Sequence, residues 1–549
     1  MHARHAMAAK SKQIFPNVFS VLLNGRGGGA SPATLPSVTV HRCLPPAGPL
    51  DGWGGGERTT ALVVDVDGAL LRSRSLFPYF MLVAVEAGSF LRGLLLLLLY
   101  PVIFTFFAGD VAVWAMAAVA FCGLRVARFR AGRAVLPRWL LEDVGKEALE
   151  AVTRRSPAPG KNTTVVWASS MPRVMVEPFL KEYLAPAVGG GIVVAAREMK
   201  VVWGFYTGLM EDGSGVASSP EVRRTMAEVD DVVGFSGGSM ELLRSPLVSF
   251  CKEVYVVSCE EKSKWRSLRR REYPRPLVFH DGRLAFLPTP LGAAAMLTWL
   301  PFGAALAVVR LAVALALPYR YATMILAATG QSWRLRGGAP PMQSPCRPRR
   351  RGQLYVCNHR TLIDPVYVSI ALDQPVRAVS YSLSRLSEFI SPIGRTVRLA
   401  RDRAHDGAAM ASLLDGGAHV VVCPEGTTCR EPYLLRFSPL FAELSDDVVP
   451  VALAVETAMF HATTTGGWKC LDALYYMANP RMCYTVEFLA GVDTAPVRDG
   501  TAASTKMAND VQRQMAEALG YDCTMLTRKD KYLMLAGNDG VVRRHDAAK

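Results

Sequence analysis

The 549-residue sequence lacks the patterns that mark several large classes of protein. Its eleven cysteines include no Cys-x-x-Cys pair, so we expect reduced thiols in a chain that faces the cytosol. No zinc-finger, RNA-binding or basic-zipper pattern accompanies the formal net charge of +15, and we therefore expect no nucleic-acid partner. Only 20% of the residues are charged, whereas 50% are hydrophobic. Positive charge combined with long apolar runs predicts a lipid bilayer as the partner.

Acidic residues are missing from the N-terminal segment 1–56 before Asp51. The segment also contains Gly25-Arg-Gly-Gly-Gly29 and several prolines. We expect it to be a disordered basic tail, because a segment of this composition does not form a core. The same composition is typical of an organelle transit peptide, which would direct the protein to mitochondria.

Charge is also scarce in two internal regions. Residues 75–124 carry three charged side chains and include Leu94-Leu-Leu-Leu-Leu-Leu99. The uncharged runs in this region are shorter than the roughly 20 residues of a spanning helix. We predict a membrane-embedded helical hairpin that either dips into one leaflet or crosses the bilayer.

The second region, 284–309, carries no charge but contains three prolines. Prolines interrupt helices, so we predict bent or paired membrane-embedded helices over 284–333. Residues 334–351 contain six arginines and no acid. They predict a basic linker that lies against lipid head groups or the phosphates of coenzyme A.

A histidine and an acid stand together at the end of a short apolar strand, in Tyr355-Val-Cys-Asn-His-Arg-Thr-Leu-Ile-Asp-Pro365. His359 can remove a proton from an alcohol near neutral pH if the carboxylate of Asp364 orients its ring. An alternative interpretation makes Asp364 the N-cap of a helix that begins at Pro365.

A second strand end follows in Val420-Val-Val-Cys-Pro-Glu-Gly-Thr-Thr-Cys-Arg430. Its turn is rich in backbone donors and carries a cation. Together with His359 and Asp364, this turn predicts a general base next to a loop that binds an anion. That combination suits acyl transfer to a phosphorylated alcohol.

These two segments, with an arginine cluster between them, resemble the glycerolipid acyltransferases that act on lysophosphatidate and glycerol 3-phosphate. Four segments carry the resemblance: Asn358-His-Arg-Thr-Leu-Ile-Asp-Pro365, Arg401-Asp-Arg403, Pro424-Glu-Gly-Thr427 and Val449-Pro-Val451. The longer segments Cys423–Glu443 and His280–Pro290 resemble the land-plant glycerol-3-phosphate acyltransferases that acylate the sn-2 position. In one departure, Thr428 stands where the wider family usually has an arginine, and Arg430 is the nearest cation.

The residues and the resemblance together predict a membrane-bound enzyme that moves an acyl group from acyl-CoA to glycerol 3-phosphate without a cofactor. His359 would act as the base, and Asp364 would hold its tautomer. The residues expected to bind the acceptor are Arg401, Arg403 and Arg430 at its phosphate, and Glu425, Gly426 and Thr427 at its remaining polar groups.

The resemblance alone implies sn-2 regiochemistry, acyl-CoA donors that are often ω-oxidised, and a role in extracellular polyesters such as cutin or suberin. We expect the endoplasmic reticulum membrane as the location, with the site facing the cytosol. Three alternatives stay open: a lysophospholipid acceptor, a bifunctional acyltransferase and phosphatase that releases monoacylglycerol, and a membrane scaffold without activity.

A pair of carboxylates, Asp65 and Asp67, ends another apolar strand. Such a pair can share a magnesium ion while the first carboxylate attacks phosphorus. The pair resembles the first motif of haloacid-dehalogenase-like phosphatases, and Ser169 resembles their second. Ala69 replaces a usual threonine, and the expected last motif near Val233–Ser239 has no carboxylate. We therefore interpret this as a degenerate phosphatase site in a structural domain.

The chain as a whole predicts two α/β domains. Residues 57–283 would form the haloacid-dehalogenase-like Rossmannoid domain, with the apolar insertion at 75–124. Residues 352–549 alternate short apolar strands with helical patterns and would form the acyltransferase domain.

Overall fold

The computed structural model describes residues 39–41, 60–155, 163–188, 191–211, 220–237, 247, 250–338, 351–380, 396–400, 402–466 and 470–538. Most of the predicted tail 1–56, most of the predicted linker 334–351 and the candidate Arg401 lie outside these ranges.

The described strands, in chain order, are β1 (Thr39–His41), β2 (Thr60–Asp65), β3 (Thr163–Ala168), β4 (Gly191–Ala195), β5 (Met199–Val202), β6 (Phe205–Met210), β7 (Asp231–Gly237), β8 (Glu253–Val257), β9 (Gln331–Arg336), β10 (Leu354–Cys357), β11 (Val376–Ser380), β12 (Val397–Arg398), β13 (His419–Val422), β14 (Tyr433–Leu434), β15 (Asp447–Thr457), β16 (Met482–Phe488), β17 (Val492–Asp493) and β18 (Asp522–Cys523).

The described α-helices are α1 (Phe77–Leu82), α2 (Phe90–Phe106), α3 (Asp110–Phe121), α4 (Ala131–Ala134), α5 (Leu136–Asp143), α6 (Lys146–Arg155), α7 (Arg173–Phe179), α8 (Ala185–Val188), α9 (Pro220–Ala227), α10 (Cys259–Lys264), α11 (Pro290–Ala316), α12 (Tyr319–Ala328), α13 (Asp364–Leu372), α14 (Arg403–Asp415), α15 (Cys470–Met477), α16 (Ala495–Arg498), α17 (Ser504–Leu519) and α18 (Arg528–Ala536). Shorter π-helical and 3₁₀ segments cover Val66–Leu70, Val83–Gly88, Val126–Arg128, Leu180–Leu184, Arg270–Glu272 and Pro439–Glu443.

The first large sheet has six parallel strands in the order β1-β8-β7-β2-β3-β4. Strand β2 is buried at every position, as expected where helices cover both faces of a parallel sheet. Strand β1 comes from the segment that we predicted to be disordered, so that prediction is wrong for Thr39–His41. The ring of His41 stacks on Tyr255 of β8, with 4.7 Å between the ring centroids, and this contact helps to hold the strand at the edge of the sheet.

The second large sheet has the order β12-β11-β13-β10-β15-β16-β9, and β17 pairs with β15. Strands β13, β10 and β15 are parallel, so the carboxyl ends of β10 and β13 lie side by side. Both candidate motifs start there, one after each strand. Strand β9 contains Arg334 and Arg336 and pairs with β16, so these two arginines do not belong to a linker as predicted. The prediction of two α/β domains is confirmed.

Exposed apolar side chains cluster on helices α2 and α11, which contact each other. Helices α2 and α3 are joined by residues 107–109 and pack together as a hairpin. Among the described helices, α11 alone is long and apolar enough to cross a membrane. Pro301 lies inside this helix, and α12 follows it after Leu317 and Pro318 and packs against it. The region predicted as bent or paired helices therefore contains two helices in contact. A proline removes one N–H donor, and the other hydrogen bonds of the helix continue past it.

Arg310 ties α11 to the second domain. Its side chain is buried and donates to the carbonyls of Met477 and Asn479 over 2.6 and 2.7 Å. These carbonyls lie at the end of α15, and hydrogen bonds from a charged donor are stronger than neutral ones. Buried apolar residues of both large sheets also belong to one continuous cluster, so the two domains share a core.

Candidate active site

The candidate base His359 follows directly after the buried strand β10 and Asn358. Asn358 joins the end of this strand to β15, because its Nδ2 donates to the carbonyl of Leu453 over 2.9 Å. Its Oδ1 accepts from the N–H of Leu453 over 2.7 Å. This amide therefore fixes the backbone one residue before His359.

Asp364 lies at the first position of α13 and is fully buried. Its Oδ2 lies 2.8 Å from Nδ1 of His359 and accepts from the N–H of Arg360 over 2.7 Å. Its Oδ1 accepts from the N–H of Thr361 over 2.8 Å and from the hydroxyl of Tyr484. None of these donors belongs to the first turn of α13, so the interpretation of Asp364 as an N-cap is wrong. Tyr484, on β16, carried no sequence signal.

The hydrogen bond through Nδ1 leaves Nε2 of His359 with the lone pair that a general base needs. Burial lowers the pKa of His359, whereas the hydrogen bond with Asp364 and the negative charge of that carboxylate raise it, and the net direction is well above the usual value. The side chain is 19% exposed, so a substrate hydroxyl can reach the ring. The pair can therefore accept a proton and stabilise the imidazolium.

Glu425, which follows the neighbouring strand β13, holds the backbone of the candidate base in place. Its Oε1 accepts from the N–H of His359 over 2.7 Å, and its Oε2 accepts from the N–H of Leu435 over 3.0 Å. Burial raises the pKa of this carboxyl to about 7, although the backbone hydrogen bonds lower it. Both oxygens thus accept from backbone groups of the protein, and Glu425 positions the backbone of His359. Contact of Glu425 with the acceptor stays a prediction.

The turn after Glu425 is shaped by a residue from the far end of the chain. Gly426 has a φ of +66°, a left-handed conformation that favours glycine. The buried Lys531 of α18 donates to the carbonyl of Thr428 over 2.5 Å and lies 3.4 Å from Oγ1 of Thr427. No sequence pattern indicated this contact. Contact of Gly426 and Thr427 with the acceptor stays a prediction.

The arginines expected at the phosphate differ in their surroundings. Arg403 begins α14, is 59% exposed at its side chain and pairs with Glu443. Arg430 is 10% exposed at its side chain, with Nη2 lying 3.6 Å from Oδ1 of Asp281. Arg430 lines a cavity of about 280 Å³, and Arg403 does not. Arg401 lies outside the described residues, so Arg430 is the phosphate candidate that the geometry favours.

Cys423 was missed by the sequence analysis. Its sulfur lies 3.4 Å from the sulfur of Cys357. Ligand atoms of Cys423, His359 and Asp364 lie within 4.8 Å of one another, a set whose atom types zinc can bind. The hydrogen bond with Cys357 and burial raise the pKa of Cys423 well above its usual value. The thiol therefore stays protonated, and Nδ1 of His359 and both oxygens of Asp364 are already hydrogen-bonded within the protein. The site fits acid–base chemistry better than metal binding.

Asp65 and Asp67 follow β2, and both carboxylates are used within the protein. Asp65 accepts from the N–H groups of Gly68 and Gly237 over 2.8 and 3.1 Å. Asp67 accepts from Oγ of Ser169 over 2.8 Å. Burial and the neighbouring Asp67 raise the pKa of Asp65 to about 6. Both carboxylates therefore accept hydrogen bonds from the protein. In a phosphatase they would instead coordinate the metal ion and attack the substrate.

The backbone also closes this site. A Cβ added at Gly68 would lie 2.8 Å from Cα of Gly237, so the turn after β2 touches the end of β7. Val233–Gly237, the first part of the segment where the last phosphatase motif was expected and its carboxylates are missing, belongs to strand β7. Lys262, which the sequence analysis missed, donates to the backbone carbonyl of Asp67 over 3.0 Å. The described residues of this site do not fit a magnesium ion.

We expect purified protein to release no magnesium-dependent phosphate from lysophosphatidate, and Asp65→Asn to change nothing, because neither carboxylate is available to a metal. A phosphate-release assay with and without magnesium tests this expectation. Magnesium-dependent release that disappears in Asp65→Asn would show that the phosphatase site works.

Glu425→Ala should lower the free energy of unfolding by about 2 kcal/mol or more, because it leaves two buried N–H groups without acceptors. Thermal unfolding in detergent measures the change, and Glu517→Ala, on an exposed position of α17, is the matched control. If Glu425 contacted the acceptor instead, the variant would bind substrate more weakly while its stability stayed unchanged.

Comparison with known proteins assigns both halves of the chain. Residues 61–257 match the domain family described as the haloacid-dehalogenase-like (HAD-like) domain of RAM2-like glycerol-3-phosphate acyltransferases. Residues 344–454 match the acyltransferase domain family.

Three plant proteins are similar to this chain over most of their own length. The probable glycerol-3-phosphate acyltransferase 3 of Arabidopsis thaliana is 46% identical, over 88% of this chain and 91% of that protein. Glycerol-3-phosphate acyltransferase 1 of the same plant is 44% identical, over 87% and 82% of the two chains. Glycerol-3-phosphate acyltransferase RAM2 of Petunia hybrida is 39% identical, over 87% and 97%.

Proposed function

The chain belongs to the plant glycerol-3-phosphate acyltransferases, and on this premise we propose that it moves a fatty acyl group from acyl-CoA to the sn-2 hydroxyl of glycerol 3-phosphate. The product is lysophosphatidic acid. The observation that carries the proposal is the 2.8 Å contact between His359 and the buried Asp364, next to a cavity lined by arginines.

The reaction needs one base and no covalent intermediate. Nε2 of His359 accepts the proton of the glycerol hydroxyl while the hydroxyl oxygen attacks the thioester carbonyl. The tetrahedral intermediate then expels the thiolate of coenzyme A, which takes the proton from the imidazolium. One thioester is broken and one ester is formed, and the enzyme returns to its starting state.

Asp364 holds the tautomer of His359 that has its lone pair on Nε2, and it stabilises the imidazolium. Arg430 binds the phosphate of the acceptor, since a guanidinium group matches phosphate oxygens in geometry and charge. Glu425 keeps the backbone of His359 in place. Acyl transfer in this proposal therefore uses residues that follow two adjacent strands, β10 and β13.

The enzyme works at a membrane in this proposal, with the site facing the cytosol. Leu91 on α2 and Leu291 on α11 are 78% and 83% exposed, and such contiguous apolar surface favours contact with lipid. The endoplasmic reticulum is the proposed location, and the mitochondrion is the alternative. The sn-2 regiochemistry, ω-oxidised donors and a role in cutin or suberin rest on the sequence resemblance alone.

His359→Ala should lower kcat by about 10²- to 10⁴-fold, the usual loss when a general base is removed. The KM values of both substrates should change little, because the base acts in the transition state. His405→Ala, at an exposed position of α14, is the control and should keep normal turnover. Purified variants are assayed with acyl-CoA and glycerol 3-phosphate, and near-normal turnover by His359→Ala would rule out its role as the base.

A further inference from the structure

We propose that the HAD-like domain builds part of the acceptor site: its Arg138 joins Arg430 in a pocket for the phosphate of a phosphomonoester. The proposal rests on the proposed function, because it adds Arg138 to Arg430 as a second arginine that binds the phosphate of the acceptor. It gives the N-terminal domain a role in substrate binding.

The pocket is the cavity of about 280 Å³ at the junction of the two domains. Thr361 forms part of its wall and donates to Asp364, so Thr361 links the pocket to the candidate catalytic pair. Charged lining residues comprise four arginines and two acids, namely Arg138, Arg270, Arg360, Arg430, Glu431 and Glu456. A phosphomonoester carries about −1.5 to −2 charges near neutral pH, which complements this excess of positive charge.

Arg430 has donors to offer in this pocket. Both of its Nη atoms are buried and make no hydrogen bond to a described residue. Burial lowers the pKa of Arg430 to about 10, so the side chain is still charged near neutral pH. Asp281 lies 3.6 Å from Nη2 and compensates the charge, but it makes no hydrogen bond with either Nη atom. Phosphate oxygens would supply the missing acceptors.

Arg138 reaches the same pocket from α5, and its side chain is 13% exposed. Its Nη1 donates to Nε2 of His280 over 2.8 Å and to Nε2 of His461 over 3.0 Å. An imidazole ring that accepts a hydrogen bond through Nε2 is uncharged, so His280 and His461 are both neutral. In agreement, burial and the adjacent arginines lower the pKa of both histidines well below the usual value. The two rings hold the guanidinium group in place without neutralising it.

The two acids beside Arg138 are either shared with another arginine or exposed to water. Oε1 of the buried Glu431 lies 3.0 Å from Nδ1 of His280 and 3.8 Å from Nε of Arg138. Its Oε2 lies 2.8 Å from Nη1 of Arg270, so one carboxylate serves two guanidinium groups. Glu142 also pairs with Arg138, at 3.2 Å, but is 40% exposed, and water therefore screens it.

The consequence is a selective acceptor site. Glycerol 3-phosphate would gain the contacts with Arg138 and Arg430, whereas glycerol would leave both guanidinium groups with their protein partners only. Arg138 would therefore act on the affinity for the acceptor and not on the chemical step, which His359 performs.

The test compares Arg138→Gln with Arg133→Gln in the full-length enzyme. Arg133 lies in the same domain, pairs with Glu182 and is 46% exposed at its side chain. Arg138→Gln should raise the KM for glycerol 3-phosphate at least about tenfold and leave the KM for acyl-CoA unchanged. Arg138→Lys should recover part of the loss, and Arg133→Gln should behave as wild type.

A second measurement needs no variant. Glycerol 3-phosphate should raise the unfolding temperature of the wild-type enzyme, and glycerol at the same concentration should not. An unchanged KM for glycerol 3-phosphate in folded Arg138→Gln, a selective rise in the KM for acyl-CoA, or equal effects of glycerol and glycerol 3-phosphate would each overturn the inference. Absence of acyl transfer by the wild type would instead refute the proposed function.

Discussion

The hydrogen bonds to the buried carboxylate of Asp364 fix the site on which the proposed chemistry depends. Moving a carboxylate out of water costs several kcal/mol unless donors replace its hydration. The donors come from the ring of His359, from the backbone before α13, and from Tyr484 on β16. The orientation of the imidazole and the fold at this edge of the sheet are therefore coupled.

The parallel sheet explains why distant segments supply one site. Strands β10 and β13 run side by side, so the two loops that follow them emerge at the same edge. Glu425 links these loops through the backbone of His359. The HAD-like domain then closes the site from the other side, where Arg138 meets His461 of the acyltransferase domain. The phosphatase site of the HAD-like domain does not fit magnesium, but the domain supplies part of the wall of the cavity beside the acyltransferase site.

The sequence was sufficient to predict features that depend on local pattern. The short apolar strand predicted before His359 is β10, Leu354–Cys357, and His359 and Asp364 are in contact as expected. The identity of the family followed from the same short motifs. Ser169 also meets Asp67 at the end of its strand, because strand ends in a parallel sheet share one edge.

Features that depend on tertiary contact were missed or misassigned. Glu425 stands in a motif that suggests substrate contact, but only the fold shows that both oxygens face backbone donors. Arg138 lies far from the acyltransferase motifs in sequence, and its histidine partners come from two other segments. Strand β9 was mistaken for helix and linker because its pairing with β16 leaves no periodic signal in six residues that include two arginines.

The most direct test of the central claim is the pH dependence of kcat/KM for glycerol 3-phosphate, measured for wild type and for Asp364→Asn. A base with a raised pKa is protonated and inactive below that value, so wild-type activity should fall with decreasing pH at a point above the ordinary histidine value of about 6.5. Removing the negative charge of Asp364 should move this acid limb to lower pH and also reduce the maximal rate. The phosphate of the substrate titrates identically in both assays, so the difference reports on the enzyme. An acid limb at the same pH in both proteins would contradict the assignment of His359 and Asp364 as the catalytic pair.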